Sequence, residues 1–554
     1  MKKVLKSVKF WRRNQGTTYR CFLVILIGIF NKPCWAERLS DNRSTVCLCS
    51  SEYCDELTRI EPSFGNFVAY TTSEDGLRFQ KTVKRLQTYY YKKQPGACLS
   101  DYCYPALHLD TSRLYQSVEG FGGAVTDAAG INWLSLDDTL KQYLIDAYFS
   151  KQGLEYNMIR VPIGGSDFST HAYAYNESPE HDVKLSNYTL APEDHKYKLP
   201  MIRACFDAAT ADVHVVATPW SPPAWMKTNN ALFGASQLKE EYYQTYADYY
   251  VKFLHLYAKE GVPVWGVTTT NEPTNAIVDT MIKFNSLGWK VTDQANWIAN
   301  NLGPTLRNSE FKDVKILAMD DMRQFITNYF YMLKTHNPKV LDYIDGVAVH
   351  FYFDPLVPPQ IMSLAVQDDP DKFIISTEAC AGSFPGDSPK VDLGSWERAQ
   401  LYIKDIIEDL NYNVTGWIDW NMCLDEQGGP NWVDNFVDSP IIIADDKLKF
   451  YKQPMYYALA HFSKFIPRGS RRIHVENLCK RTIENVSFLT PYNTIVTILH
   501  NTGEATEVDL VTCHRLASVQ LERNSVTTVE FVHEECSFDK PGAGPKIYFE
   551  GHDF

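Results

Sequence analysis

The sequence lacks an apolar run long enough to cross a bilayer as a helix, which takes about 20 residues. Its longest run, Cys21–Phe30, has ten. An excess of base is missing too: Lys+Arg number 54 against Asp+Glu 67, a formal net charge of −13. Nucleic acid binding needs clustered cations, so nucleic acid is excluded as a general partner. The spacings Cys47-x-Cys49 and Cys49-x4-Cys54 have no nearby histidine to complete a four-ligand zinc set. No motif calls for a metal or a cofactor, and repeats and low-complexity tracts are absent. A chain that is 45% hydrophobic and 13% aromatic is neither disordered nor collagen-like.

What is present begins with an address. The first 20 residues carry seven bases (Lys2, Lys3, Lys6, Lys9, Arg12, Arg13, Arg20) and no acid. With Cys21–Phe30 behind them they match a signal peptide over residues 1–30, the alternative being a short membrane anchor. Five sequons follow, at Asn42, Asn176, Asn187, Asn413 and Asn485, and point to the secretory route. Of 13 cysteines, Cys34, Cys47, Cys49 and Cys54 crowd one segment, Cys98 and Cys103 are close together, and Cys479, Cys513 and Cys536 lie near the end. In a secreted chain these are disulfide candidates. Cys205, Cys380 and Cys423 sit in apolar surroundings and read as free and buried. The acidic body suits an acidic compartment, where protonation trims self-repulsion.

From about residue 118, short apolar runs alternate with helical patterns, the signature of β-α units. Eight strands are predicted: Val118–Val125, Tyr156–Pro162, Val213–Thr218, Val264–Thr270, Val314–Met319, Ile344–His350, Phe373–Thr377 and Gly416–Trp420. Helices are predicted over Leu136–Ser150, Leu199–Thr210, Glu240–Lys259, Thr292–Asn301, Arg323–Thr335 and Trp396–Asn411, with an aromatic-rich one over Tyr451–Phe465. Eight such units argue for an α/β fold of the (β/α)8 TIM-barrel type. The alternating runs of residues 47–115, and of those from 471 onward, predict additional β structure.

Active residues of such barrels lie at the C-terminal ends of the strands. There the sequence places Arg160 with Asp167 beyond it, Trp220, Asn271-Glu272-Pro273, His350 with Tyr352, Glu378 and Trp420. Aromatic faces stack on sugar rings, amides and acids bond hydroxyls, and glycoside hydrolysis uses two carboxyls flanking the scissile bond. Taken singly, each has a structural alternative: Asn-Glu-Pro as a strand end with a cap, Glu378 as a satisfied buried acid, the tryptophans as core, His350 as an orienting residue. A separation of ~5–5.5 Å between Glu272 and Glu378 means retention, and ~6.5–9.5 Å means inversion.

The motifs Phe121-Gly-Gly-Ala-Val-Thr-Asp-Ala-Ala129, Arg160-Val-Pro162, Thr218-Pro-Trp-Ser-Pro-Pro-Ala-Trp-Met-Lys227, Asn271-Glu-Pro273, Glu378-Ala-Cys380, Gly428-Gly-Pro-Asn-Trp432, Asn435-Phe-Val-Asp-Ser-Pro440 and His461-Phe-Ser-Lys-Phe-Ile-Pro467 resemble the glucosylceramidase family of acid β-glucosidases, glycoside hydrolase family 30. The likeness runs from about Cys34 to beyond residue 500. It implies a lysosomal, retaining β-glucosidase that cleaves glucosylceramide, with Glu272 as acid/base and Glu378 as nucleophile. It implies that Asp167, Trp220, Asn271, Trp420 and Asn435 hold the glucose, supported by Arg160, His350 and Tyr352. Expected partners are a glycosphingolipid at a membrane surface, a saposin-type activator and anionic lipid.

The resemblance also implies the division of the chain. Residues 31–65 with 422–453 form a small three-stranded sheet region, 66–115 with 470–540 an immunoglobulin-like β-sandwich, 116–421 with 454–469 the barrel, and 541–554 a loose tail. Cys34-Trp-Ala36 resembles a signal-peptidase site, but Cys34 aligns with the first of four paired cysteines of the family. The expectation is therefore earlier cleavage, with pairs Cys34–Cys47 and Cys49–Cys54 and an extra bond between Cys98 and Cys103.

One segment departs from the family. Thr274-Asn-Ala276 follows Asn-Glu-Pro where small residues and glycine are usual, and Ile282-Lys-Phe284 keeps one aromatic of a pair. That leaves open a hydrolase of another β-glycoside, and beside it a catalytically inactive sugar- or lipid-binding protein. With Glu378 ionised while Glu272 is protonated, kcat/KM is expected to be bell-shaped in pH with an acidic optimum. Steady-state rates from pH 4 to 8 on folded protein check it; a flat profile counts against the pair.

Overall fold

The computed structural model describes residues 33–89, 105–278, 283–384, 386–479 and 482–535. The predicted signal peptide, the tail 541–554 and Cys98, Cys103 and Cys536 lie outside them. Among the described residues no helix is long and apolar enough to cross a membrane.

Eight parallel strands close into a barrel in chain order: β1 (Gly120–Ala124), β2 (Met158–Ile163), β3 (His214–Pro219), β4 (Gly266–Thr268), β5 (Lys315–Met322), β6 (Gly346–His350), β7 (Phe373–Glu378) and β8 (Val414–Asn421). This is the TIM barrel that the alternating runs predict. Inside it, Met158, Val216, Leu317, Ala348, Ile375 and Ile418 pack together, one from each of six strands, with Trp265 and Phe373 beside them. A layer of inward side chains from different strands is what makes such a barrel a packed core. Strand β1 is glycine-rich because its neighbour runs close: a Cβ on Gly122 would lie 2.1 Å from the Met158 carbonyl oxygen.

The structure moves some predicted boundaries. The helix expected over Leu136–Ser150 runs Asp138–Phe149, capped by the Asp137 side chain on the Leu140 N–H. The helix Trp396–Asn411 has the predicted ends and is capped by Ser395. The aromatic-rich helix spans Pro454–Ser463, because Tyr451 and Lys452 belong to the strand Lys449–Lys452. Strand β5 runs past the predicted end at Met319 to Met322.

The small sheet has five strands, ordered Ala36–Glu37, Val46–Ser50, Lys449–Lys452, Ile441–Ile443 and Cys423–Asp425, in place of the three expected. The two extra strands are edges of two and three residues, too short for an alternating pattern. The bonds Cys34–Cys47 and Cys49–Cys54 brace this sheet. Cys479 and Cys513 are also disulfide-bonded, and Cys205, Cys380 and Cys423 are free and buried. The remaining strands, from both chain ends, form a ten-stranded sheet around Phe67, Leu107, Ile495, Leu510, Val519 and Phe531.

A buried histidine joins the last helix to that sheet. His461 lies between Thr528 Oγ1 on Nδ1 and Thr72 Oγ1 on Nε2, both at 2.9 Å. Thr528 donates to the His461 carbonyl and Thr72 accepts from the Phe79 N–H. The consistent arrangement is a neutral ring that donates from Nδ1 and accepts at Nε2. Burial holds the imidazole down to about 3.

A second buried cluster is charged. Asp354, Asp405 and Asp409 bring carboxyl oxygens within 4.8 Å of one another. The buried Arg323 faces Asp354 at 3.1 Å, Glu408 at 3.3 Å and Asp409 at 3.6 Å. One guanidinium thus meets several acids. Burial pushes all three aspartates up, and Asp405 repels both Asp354 and Asp409. A carboxyl raised in the fold contributes stability that is full below its unfolded value of about 4 and is lost as pH rises through the folded value. Thermal melts should therefore show Asp409→Asn raising the midpoint at pH 7.5 by roughly 2 °C and leaving it unchanged at pH 4.5. A fall at both pH values would mean that Arg323 needs this carboxylate.

Candidate active site

The C-terminal ends of the barrel strands surround a cavity. Asp167, Trp220, Asn271, Glu272, Tyr352, Glu378, Trp420 and Asn435 line it. Arg160 and His350 are fully buried and bond to the lining residues. Every predicted catalytic, sugar-binding and supporting residue therefore comes together at one place.

Arg160, on β2, organises the floor. Its guanidinium donates to Glu378 Oε2, to Asn271 Oδ1 at 2.9 Å and to Asp320 Oδ2 at 2.9 Å. Its Cζ lies 5.0 Å from the Trp220 ring centroid and 5.3 Å from that of Trp420. The two indoles stack on each other at 5.2 Å, so they form one aromatic wall. Glu378, at the end of β7, accepts a second bond from the Tyr352 hydroxyl. On β6, His350 reaches Glu272 Oε1 from Nδ1 at 3.0 Å and Asp320 Oδ1 from Nε2 at 3.1 Å. One carboxylate oxygen of Glu272 and one of Glu378 lie within 4.8 Å.

Burial alone would lower the His350 basicity, but Glu378 and Asp320 push it up to about 10. The ring is an imidazolium that donates from both nitrogens. Burial pushes Glu272 up to about 7, with His350 pulling the other way and Glu378 adding repulsion. Burial also acts on Asp320, yet Arg160 and His350 hold it far below the usual carboxylate range. Asp167 is pushed up to about 7 by burial, against donors from Asn435 at 2.9 Å and Asn431 at 3.2 Å. Side by side, then, stand a carboxyl able to carry a proton near neutrality and one gripped by a guanidinium and a phenol.

Asp320 is the residue that the sequence reading misses. The predicted strand stops one residue short of it. The backbone at Met319 and Asp320 is left-handed, with φ of 74° and 63°, and the β5–β6 register shifts there. Such a bulge re-aims a side chain. The carboxylate collects Arg160, His350, Thr268 at 2.8 Å and Thr377 at 2.6 Å. The signal available was the pair Asp320-Asp321 directly after an apolar run. Glu272 is also left-handed, with φ of 43°, and its N–H bonds the Asp320 carbonyl at 2.8 Å. Asn431 and Asn275, which touch Asp167 and Glu272, were likewise not singled out.

Of the five sequon asparagines, Asn176 is 6% exposed, and its Nδ2 donates to the Asp182 carbonyl. Asn42 and Asn187 are exposed, and Asn413 and Asn485 half-buried.

An eight-stranded barrel with two carboxyls facing each other in a cavity at the strand C-termini defines a glycoside hydrolase. The family model described as the glycosyl hydrolase family 30 TIM-barrel domain matches residues 118–466, and the family's beta sandwich domain matches 469–529. The chain belongs to glycosyl hydrolase family 30 and is a glycosidase. It is 40% identical over 464 residues to the lysosomal acid glucosylceramidase of Mus musculus, covering 83% of this chain and 87% of that one. It is 39% identical over 432 residues to putative glucosylceramidase 3 of Caenorhabditis elegans, covering 77% and 80%. The crystal structure of SrfJ from Salmonella typhimurium has the same fold, with a TM-score of 0.76 at 23% identity over 85% of this chain and 100% of that one.

Asp320→Asn should lower the melting temperature by several degrees, because breaking a buried ion pair costs about 3–5 kcal/mol. It should lower kcat/KM as well, since His350 loses the charge that holds its second proton. Thermal melts with steady-state kinetics check this; a variant with unchanged stability and rate would show that Arg160 and His350 stand without it.

Proposed function

We propose that the protein is a retaining β-glucosidase that hydrolyses glucosylceramide to glucose and ceramide by double displacement. The observation that carries this reading is the approach of Glu272 and Glu378 oxygens to within 4.8 Å, which suits the ~5–5.5 Å carboxyl separation of retaining enzymes better than the ~6.5–9.5 Å of inverting ones. The substrate follows from the names of the mouse and worm relatives.

In the first step the Glu378 carboxylate attacks the anomeric carbon. The glycosidic C–O bond breaks, and the Glu272 proton passes to the leaving oxygen. In the second, ionised Glu272 takes a proton from water, the water oxygen bonds the anomeric carbon, and Glu378 leaves as a carboxylate. Arg160 and Tyr352 hold Glu378 for attack. Glu272 must start protonated, so kcat/KM falls as pH rises through about 7. Asp167 and Asn435 bond sugar hydroxyls, Asn271 presents its amide, and the Trp220–Trp420 wall meets the ring.

The same proposal puts the enzyme in the lysosomal lumen, after secretory entry, with glycans on Asn42, Asn176, Asn187, Asn413 and Asn485. A glycosphingolipid-bearing membrane, anionic lipid and a saposin-type activator are its partners. Phe353 and Leu356, 42% and 78% exposed in the loop after Tyr352, suit contact with lipid.

Trapping experiments assign the roles. Glu272→Ala should form the glucosyl-enzyme from a dinitrophenyl β-glucoside, stall, and be rescued by azide as the β-glucosyl azide. Glu378→Ala should gain nothing from a better leaving group, and azide should give the α-product. The opposite stereochemistry would reverse the assignment. Lipid-presented glucosylceramide should be cleaved; turnover of cellobiose alone would overturn the substrate.

A further inference from the structure

We propose that Asn275 is a positioning residue for the acid/base carboxyl, gripping Glu272 Oε2 with its side-chain N–H while His350 grips Oε1. The inference rests on the role of Glu272 proposed above.

The grip is built by the turn after β4. Glu272 adopts its left-handed backbone, and the chain closes with the Asn275 N–H on the Glu272 carbonyl at 3.1 Å. Thr274 is tied to the end of β5: its N–H and hydroxyl both donate to Asp321 Oδ2, at 2.9 and 2.8 Å. Asp321 is itself fixed by the Met322 N–H at 2.8 Å. With Thr274 pinned, the first residue of the short helix Asn275–Val278 stands over Glu272. Its Nδ2 lies 2.5 Å from Glu272 Oε2. Alanine or glycine at 275 would have no side-chain donor.

A carboxyl held at one oxygen can swing the other; held at both, it keeps its plane. The second donor also favours the ionised form over the acid. Around Glu272 it works with His350 of β6, and against burial and the like charges of Glu378 on β7 and Asp321 on β5. Tyr352 stands beside Glu378, and Arg160 and Asp320 act from behind His350 and Glu378. At a given pH the donor therefore leaves less of Glu272 in the acid form that starts the first step and more in the ionised form that starts the second. Asn275 thus sets the balance between the two.

The test is the pH dependence of kcat/KM on a methylumbelliferyl β-glucoside, whose leaving group needs the acid, for the full chain and for Asn275→Ala and Asn275→Asp. Melting temperatures confirm folding, and the aspartate keeps the shape should the alanine variant misfold. The alkaline limb should move up by about 0.5–1 pH unit in Asn275→Ala and further in Asn275→Asp, which replaces the donor with a negative charge. On a dinitrophenyl β-glucoside, Asn275→Ala should lose several-fold in kcat at pH 5, where the second step limits. An unmoved or lowered alkaline limb in the folded variants overturns the grip, as does an equal fall in every parameter, which a packing role alone would give. Glu272→Ala run in parallel separates the two ideas: if it retains the alkaline limb and turnover without azide, the acid/base assignment fails; if it stalls and only the Asn275 limb is unmoved, the grip alone fails.

Discussion

The guanidinium of Arg160 is the constraint around which the barrel mouth is arranged. A fully buried cation is tolerable only with anions and acceptors in contact. Here they come from three directions: Asp320 of β5, Glu378 of β7 and Asn271 after β4. The stacked pair of indoles lies beside it. Satisfying one side chain therefore draws several strand ends to one point. The second cation, His350, links Asp320 to Glu272 in the same way. Charge satisfaction in the core and placement of the two facing carboxyls are one arrangement.

Much of this was legible from residue order. Runs such as Phe373–Thr377 and Ile344–His350 are apolar on both faces, as strands buried in a parallel barrel must be, and a polar residue ending such a run faces the cavity. That rule found Glu272, Glu378, Arg160, His350 and Trp420. It failed at Asp320, because a bulge is a backbone event: Met319 and Asp320 take left-handed angles without glycine, and nothing in their side chains announces it. Asn431 escaped for another reason. Its partner Asp167 is 264 positions away, and only the closed fold makes them neighbours. Edge strands such as Ala36–Glu37 exist because a neighbour offers a ladder, not because of their own pattern.

The side of the cavity around Asp167 and Asn435 is not built by the barrel alone. Asn431 and Asn435 follow the short strand Cys423–Asp425 of the small sheet, which continues from β8. Glu378 ends a strand and Glu272 lies in the turn just after one, while the residues that would recognise hydroxyls also come from a loop anchored in another layer. This division lets the chemistry stay fixed while recognition is adjusted.

The joint at His461 has a consequence of its own. Its ring stays uncharged down to about pH 3, and its contacts are neutral hydroxyls. Between neutral pH and about pH 4 this one contact keeps its charge state. Buried ion pairs lie around Arg160 and Arg323 and, closer to the joint, at Arg59–Glu530 and Lys464–Glu155. The joint behaves as a weatherproof hinge pin: the catalytic half can take up and release protons while the outer sheet, through this contact, feels none of it.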